Sequence, residues 1–218
     1  MNSNELTRRD FVRNAILTTA ALPIMANCKA TAYVEASKPG IVELLRKNAQ
    51  PRGATAMGAI EVPYDVAWRM AFPIVGDNGE PMSISGTVYK PDGKTAAPNT
   101  LIYFYHTDKY GIYGRTGQPT HGRFRGWMLT DAKGRYEFSS IRPASYPNST
   151  QSQHVHMTVT TLDRREDWID SILFEGDRFI TARERGWSGQ RGGFNPIITL
   201  TRGPDGIQRG VRDIQLVG

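Results

Sequence analysis

Turn signals recur along this chain at short intervals, at Asp77-Asn78-Gly79, Pro91-Asp92-Gly93, Asp131-Ala132-Lys133-Gly134 and Gly203-Pro204-Asp205-Gly206. Glycine tolerates the positive φ that tight turns need and proline pre-sets its own φ, so only short runs fit between successive reversals. Those runs are rich in β-branched and aromatic residues. They predict strands at Trp68 to Val75, Met82 to Lys90, Thr100 to His106, Gly126 to Thr130, Arg135 to Ser139, Gln153 to Thr161, Ser171 to Phe174, Ile197 to Thr201 and Val211 to Val217. With 22 glycines and 13 prolines in 218 residues, the expected fold is all-β, a single β-sandwich over residues 60–218. Residues 29–59 read as an irregular lead-in with one helix at Gly40 to Lys47, whose apolar face is Ile41, Leu44 and Leu45. The charge run Asp163-Arg164-Arg165-Glu166-Asp167 reads as a solvated loop.

The N-terminus carries Thr7-Arg8-Arg9-Asp10-Phe11-Val12-Arg13 followed by a mildly apolar stretch too short to span a bilayer. This resembles a bacterial twin-arginine (Tat) export signal, which implies that residues 1–28 are a targeting segment and that the chain is exported folded. Met25-Ala26-Asn27-Cys28 resembles a lipoprotein cleavage site, so a lipid anchor at Cys28 and simple cleavage nearby both stay open. The expected location is periplasmic or membrane-tethered. A single cysteine excludes an internal disulfide framework and any multi-cysteine metal site. The net charge of +6 is spread along the chain without a basic block or a nucleic-acid motif; it implies a solvated basic surface that mildly favours anionic aromatic ligands.

Two of the four histidines, His154 and His156, lie two residues apart in a β-rich run. Side chains at i and i+2 of a strand share a face, so both imidazoles point to one place. They follow the turn Pro143-Ala144-Ser145-Tyr146-Pro147, and Tyr113 stands upstream in Gly111-Ile112-Tyr113. Each residue also has an ordinary reading. A histidine pair on a strand face can be solvated, Tyr113 or Tyr110 can be a loop aromatic, and Tyr146 can cap the sandwich. His106 is read as packing or hydrogen-bonding beside the site without ligating and His121 as a loop residue, while Trp127, Trp168 and Trp187 are read as core or rim.

The ordered set Ser85-Gly86 to Gly93, Leu101-Ile102-Tyr103-Phe104-Tyr105, Gly111-Ile112-Tyr113, Leu129 to Phe138, Ile141 to Pro147, His154-Val155-His156 and Leu173 to Asp177 resembles the intradiol ring-cleaving dioxygenases across residues 80 to 180. The resemblance implies Fe(III) held by Tyr113, Tyr146, His154 and His156, with Tyr146 and His154 axial. Hard phenolate oxygens suit a ferric ion, and the ion in turn keeps both phenols deprotonated. It also implies the activity: O2-dependent cleavage of a small aromatic diol between its two hydroxyl-bearing carbons to a muconate-type dicarboxylate, with Tyr146 accepting a substrate proton and no organic cofactor. Two positions depart from the family pattern. Gln151 stands where the family has arginine, and Ser171 where it has glutamine; both family residues lie over the substrate. Only seven residues separate Tyr146 from His154, shorter than usual. Gln151 is taken as a hydrogen-bond donor to substrate, with Arg123 or Arg125 as candidates to supply the missing charge. Rival readings are an exported metal- or ligand-binding β-sandwich without turnover, and zinc or copper on the histidine pair. A homo-oligomer is compatible with the sequence.

Overall fold

Strict alternation along Pro81-Met-Ser-Ile-Ser-Gly-Thr-Val-Tyr89 gives strand β2 (Pro81–Tyr89) one buried face, on which Met82, Ile84 and Val88 lie. The computed structural model describes residues 39–50, 58–72, 79–114, 121–186 and 191–218, all within one compact unit, Ala32–Gly218. The targeting segment and Cys28 lie outside the described residues, as does Trp187.

The chain runs through α1 (Pro39–Lys47), a 3-10 turn (Ala59–Glu61), β1 (Arg69–Ala71), β2, β3 (Leu101–Tyr105), β4 (Arg125–Leu129), β5 (Arg135–Ile141), β6 (His154–Thr160) and β7 (Asp167–Phe174). It ends with α2 (Ala182–Gly186), β8 (Ile197–Ile198), β9 (Thr201–Arg202), β10 (Gln208–Val211) and β11 (Ile214–Gln215). One mixed sheet has the order β1-β5-β2-β10-β9 with β11 also pairing β2; the other has the order β4-β3-β6-β7-β8. The two enclose an apolar core that includes Met82, Ile84, Phe104, Phe138, Val155, Met157, Ile172 and Phe174. The expected all-β sandwich is present. Among the described residues no helix is long and apolar enough to cross a membrane.

Strand β3 is buried at all five positions because it is covered on both faces. Ile102 and Phe104 enter the sandwich core, whereas Leu101 meets a second cluster formed by Val42, Leu45, Ala59 and Val62 of the lead-in. Tyr103 and Tyr105 face the same outer side and form a third cluster with Tyr113, Trp127 and Trp168. The outer face of this sheet is thus shared between the lead-in and the aromatic surroundings of the histidine pair.

Four expectations are corrected. Helix α1 buries Val42 and Leu45, while Leu44 is 47% exposed; residues three apart share a face, and Leu44 is turned off it. The charge run is not all solvated, since Glu166 is 1% exposed and its Oε1 accepts hydrogen bonds from Gly58 N, Ala59 N and Thr158 Oγ1 at 2.7, 3.1 and 2.8 Å. Strand β7 therefore begins at Asp167 rather than Ser171. The expected strand at Val211 to Val217 is split into β10 and β11, both parallel to β2, with Arg212 between them bonding Ser85 O through its backbone N–H. The neighbouring backbone comes so close that a Cβ at Gly86 would stand 2.0 Å from Arg212 O.

Candidate active site

In β6 the residues that alternate with the histidines, Val155 and Met157, are core residues, so alternation sends His154 and His156 to the outer face of the sheet. Tyr105 is the cross-strand partner of His156 and stacks on it with ring centroids 4.6 Å apart. The two tyrosines arrive from loops. Asp108 Oδ1 accepts from Tyr110 N and Ile112 N at 2.8 and 3.0 Å, closing a tight turn that presents Tyr113. Gly111 sits at φ +78°, and a Cβ there would stand 2.0 Å from Ser145 O. Only glycine lets this loop lie against the Ser145–Pro147 turn. Ala144 N to Asp108 O (3.1 Å) and Thr107 Oγ1 to Ala144 O (2.7 Å) complete the junction.

The four side chains meet. Tyr113 and Tyr146 share a hydrogen bond between their hydroxyl oxygens at 2.5 Å, Tyr146 Oη lies 3.1 Å from His154 Nε2, and His154 Nε2 lies 3.0 Å from His156 Nε2. His154 Nδ1 donates to Ser152 O at 2.6 Å. A carbonyl can only accept, so the proton of His154 is on Nδ1 and Nε2 turns a lone pair into the cluster. Ser171 Oγ stands 3.3 Å from His156 Nδ1. Burial pushes His154 below the usual histidine range and His156 down to about 3, with His154 and His121 adding to the latter. Both imidazoles are therefore neutral near pH 7, the form that binds metal. Burial raises the Tyr113 phenol well above its usual range, and its contact with Tyr146 adds to this; a cation between the oxygens would be needed to ionise it.

This donor set fits a hard metal ion. Contacts near 3 Å are what donors held roughly 2.0–2.2 Å from one centre make with each other, and two phenol oxygens with two imidazoles match a ferric ion's preference. Among the described residues no group of three or more His, Cys, Asp and Glu side chains could hold a metal, so the tyrosines are integral to any metal site here.

A cavity of about 170 Å³ opens beside the imidazoles, walled by Gln151, Ser152, Asp170, Ser171, Leu173 and Glu184. Gln151 and Ser171 both face this space. Neither Arg123 nor Arg125 lines it; Arg125 pairs with Glu61 at 2.7 Å. Tyr110 is 67% exposed and stays out of the cluster. His106 is fully buried between Thr107 O and Ser140 Oγ, apart from the four donors. His121 does more than its loop position suggested, since Nδ1 bonds Tyr103 Oη at 2.7 Å and the ring stacks on Tyr105 at 3.9 Å. Tyr105, Ser152, Asp170 and Glu184 were not singled out from the sequence. Of these only Glu184 left a trace, the pattern Thr181-x-x-Glu184 of a helix-capping box, which the structure contains.

The dioxygenase family (Dioxygenase_C) matches residues 68–184, more than half of the chain. The chain belongs to the intradiol dioxygenase family. It is 34% identical over 123 residues to catechol 1,2-dioxygenase 1 of Acinetobacter lwoffii, covering 48% of this chain and 39% of that protein. It is 31% identical over 118 residues to the protocatechuate 3,4-dioxygenase beta chain of Burkholderia cepacia, covering 47% and 50%. The chain thus spans half or less of these curated relatives. Among solved structures, the dioxygenase domain of a dioxygenase carbohydrate-binding protein fusion from Streptomyces sp. SirexAA-E superposes with a TM-score of 0.53 at 23% identity, covering 77% of this chain and 96% of that one. Catechol 1,2-dioxygenase from Acinetobacter sp. ADP1 gives 0.55 at 20% identity, covering 70% and 57%. These likenesses establish the shared fold. Intradiol dioxygenases use non-haem iron, and phenol oxygens and imidazole nitrogens like those that meet here are donor types that suit such an ion.

Proposed function

We propose that this protein is an exported, Fe(III)-dependent intradiol dioxygenase that opens a catechol-type ring between its two hydroxyl-bearing carbons. Both atoms of O2 enter a muconate-type dicarboxylate, so diol plus O2 accounts for every atom of the product. The observation that carries this reading is the convergence of Tyr113, Tyr146, His154 and His156, linked by contacts of 2.5–3.1 Å, with the two histidines lining a cavity. These four residues would hold the ion, whose Lewis acidity makes the bound diol reactive toward O2.

The chain's own groups do the rest. Ser152 O fixes the ring orientation and tautomer of His154, and Ser171 Oγ steadies His156. Tyr146 Oη, held between Tyr113 and His154, accepts one proton of the incoming diol. The Gln151 amide donates a hydrogen bond to substrate oxygen from the cavity wall, and Leu173 and Pro196 supply apolar surface against the ring. The twin-arginine segment supports export in the folded state.

A second reading keeps the fold and the ion but not the turnover, because Gln151 replaces a cation beside developing negative charge. One experiment separates the two. Protein expressed with iron is assayed for metal content and for the visible absorption of ferric tyrosinate, then for O2 uptake with catechol, hydroxyquinol and protocatechuate. Iron, colour and stoichiometric uptake with one diol support the proposal. Coloured protein without uptake supports the second reading, and colourless protein that excludes iron defeats both.

A further inference from the structure

Strands β6 and β7 pair in register from His154↔Leu173 to Val155↔Ile172, then shift to Met157↔Ile169. Two residues of β7, Asp170 and Ser171, thus oppose the single residue His156. Such a bulge breaks the alternation of faces. As a result both Asp170 and Ser171 reach the cavity wall, where regular pairing would admit only one of them. Asp170 Oδ2 accepts from Arg191 N at 2.9 Å, while Oδ1 has no hydrogen-bond donor among the described residues. Glu184 also lines the cavity. Burial opposes its ionisation, but hydrogen bonds from Thr181 and Ser152 outweigh this and hold it below the usual carboxylate range. No lysine or arginine lines the cavity among the described residues, and Arg212, which feels the Asp170 charge, is not in its wall.

We infer that this cavity selects diols carrying a protonated amine substituent over diols carrying a carboxylate, with Asp170 as the specificity-determining residue and Glu184 as the second acidic wall. The inference rests on the ring-cleavage reading above and adds the charge of the substrate to it. It runs opposite to the whole-chain formal charge of +6. A carboxylate on the ring would enter a cavity lined by two carboxylates with no lysine or arginine in its wall, whereas an ammonium would find an open acceptor in Asp170 Oδ1.

The test is equilibrium binding, by calorimetry on the purified iron-loaded protein under nitrogen, of catechol, 3,4-dihydroxybenzoate and 4-(2-aminoethyl)catechol. Affinities are expressed relative to catechol within each variant. The wild type is expected to prefer the amine over the carboxylate by about tenfold or more, with the preference shrinking at high salt. Asp170→Asn, which keeps the acceptor for Arg191 N, is expected to reduce that ratio severalfold, and Glu184→Gln to reduce it further. Catechol bound with a wild-type ratio near one, or favouring the carboxylate, overturns this inference alone. So does a ratio that both variants leave unchanged. Failure of all three diols to bind overturns the ring-cleavage reading and this inference with it. The wild-type ratio decides by itself, so a variant that folds poorly does not shelter the idea.

Discussion

Four atoms set the chemistry at the residue scale: two phenol oxygens and two imidazole nitrogens joined by a chain of three contacts, with His154 fixed by Ser152 O. Removing a ligand should act on the metal before it acts on the fold. Tyr146→Phe and His154→Ala are each expected to lower bound iron at least tenfold and to bleach or shift the tyrosinate absorption, with far-UV circular dichroism retained; unchanged iron and spectrum in both would mean that other residues hold the metal. His106 allows a prediction apart from the ligands. It is fully buried, and desolvation pushes it down to about 4. A histidine whose folded pKa lies below its unfolded value of ~6.5 resists protonation in the native state. Its contribution to stability is complete above pH 6.5 and is lost as pH falls toward 4. Urea unfolding between pH 7 and 4 should show stability declining by up to about 3 kcal/mol from this group, and His106→Gln should flatten that slope.

At the scale of elements, two short contacts decide whether the ligands meet. The loop carrying Tyr113 lies on the turn carrying Tyr146 because Gly111 has no side chain to meet Ser145 O. Gly111→Ala combines a clash with an unfavourable φ and should part the two tyrosines. The expected result is at least a tenfold loss of iron, measured by metal analysis, with a far smaller change in the thermal unfolding of the sandwich. The second contact is the bulge opposite His156, which brings Asp170 and Ser171 to the cavity together. Strand alternation made the His-x-His pair legible from sequence. The same rule, applied to β7, conceals the bulge, because a register shift is a property of how two strands pair and cannot be read from one strand's residues.

On the scale of the whole molecule, the lead-in segment is structural. Val42 and Leu45 cover Leu101 and Leu129 on the outer face of the sheet, and Glu166 anchors Gly58 and Ala59 from the far side of the chain's order. Leu45→Ala should cost about 2–5 kcal/mol in urea unfolding, as expected for emptying a fully buried leucine site. A cost below about 1 kcal/mol would mean that the lead-in is a loose appendage. The short runs between turn signals and the two-residue period at His154 and His156 were readable from the chain because each depends on neighbours a few residues away. The resemblance to the intradiol family added Tyr113 and Tyr146, which no local period marks. What folding alone decided lies between residues far apart in sequence: Glu166 with Gly58, Gly111 with Ser145, and Asp170 with Glu184 in the lining of one cavity. Burial and charge at those places depend on which strands pair and in what register, and such pairings arise from packing the two sheets together rather than from any short stretch of residues.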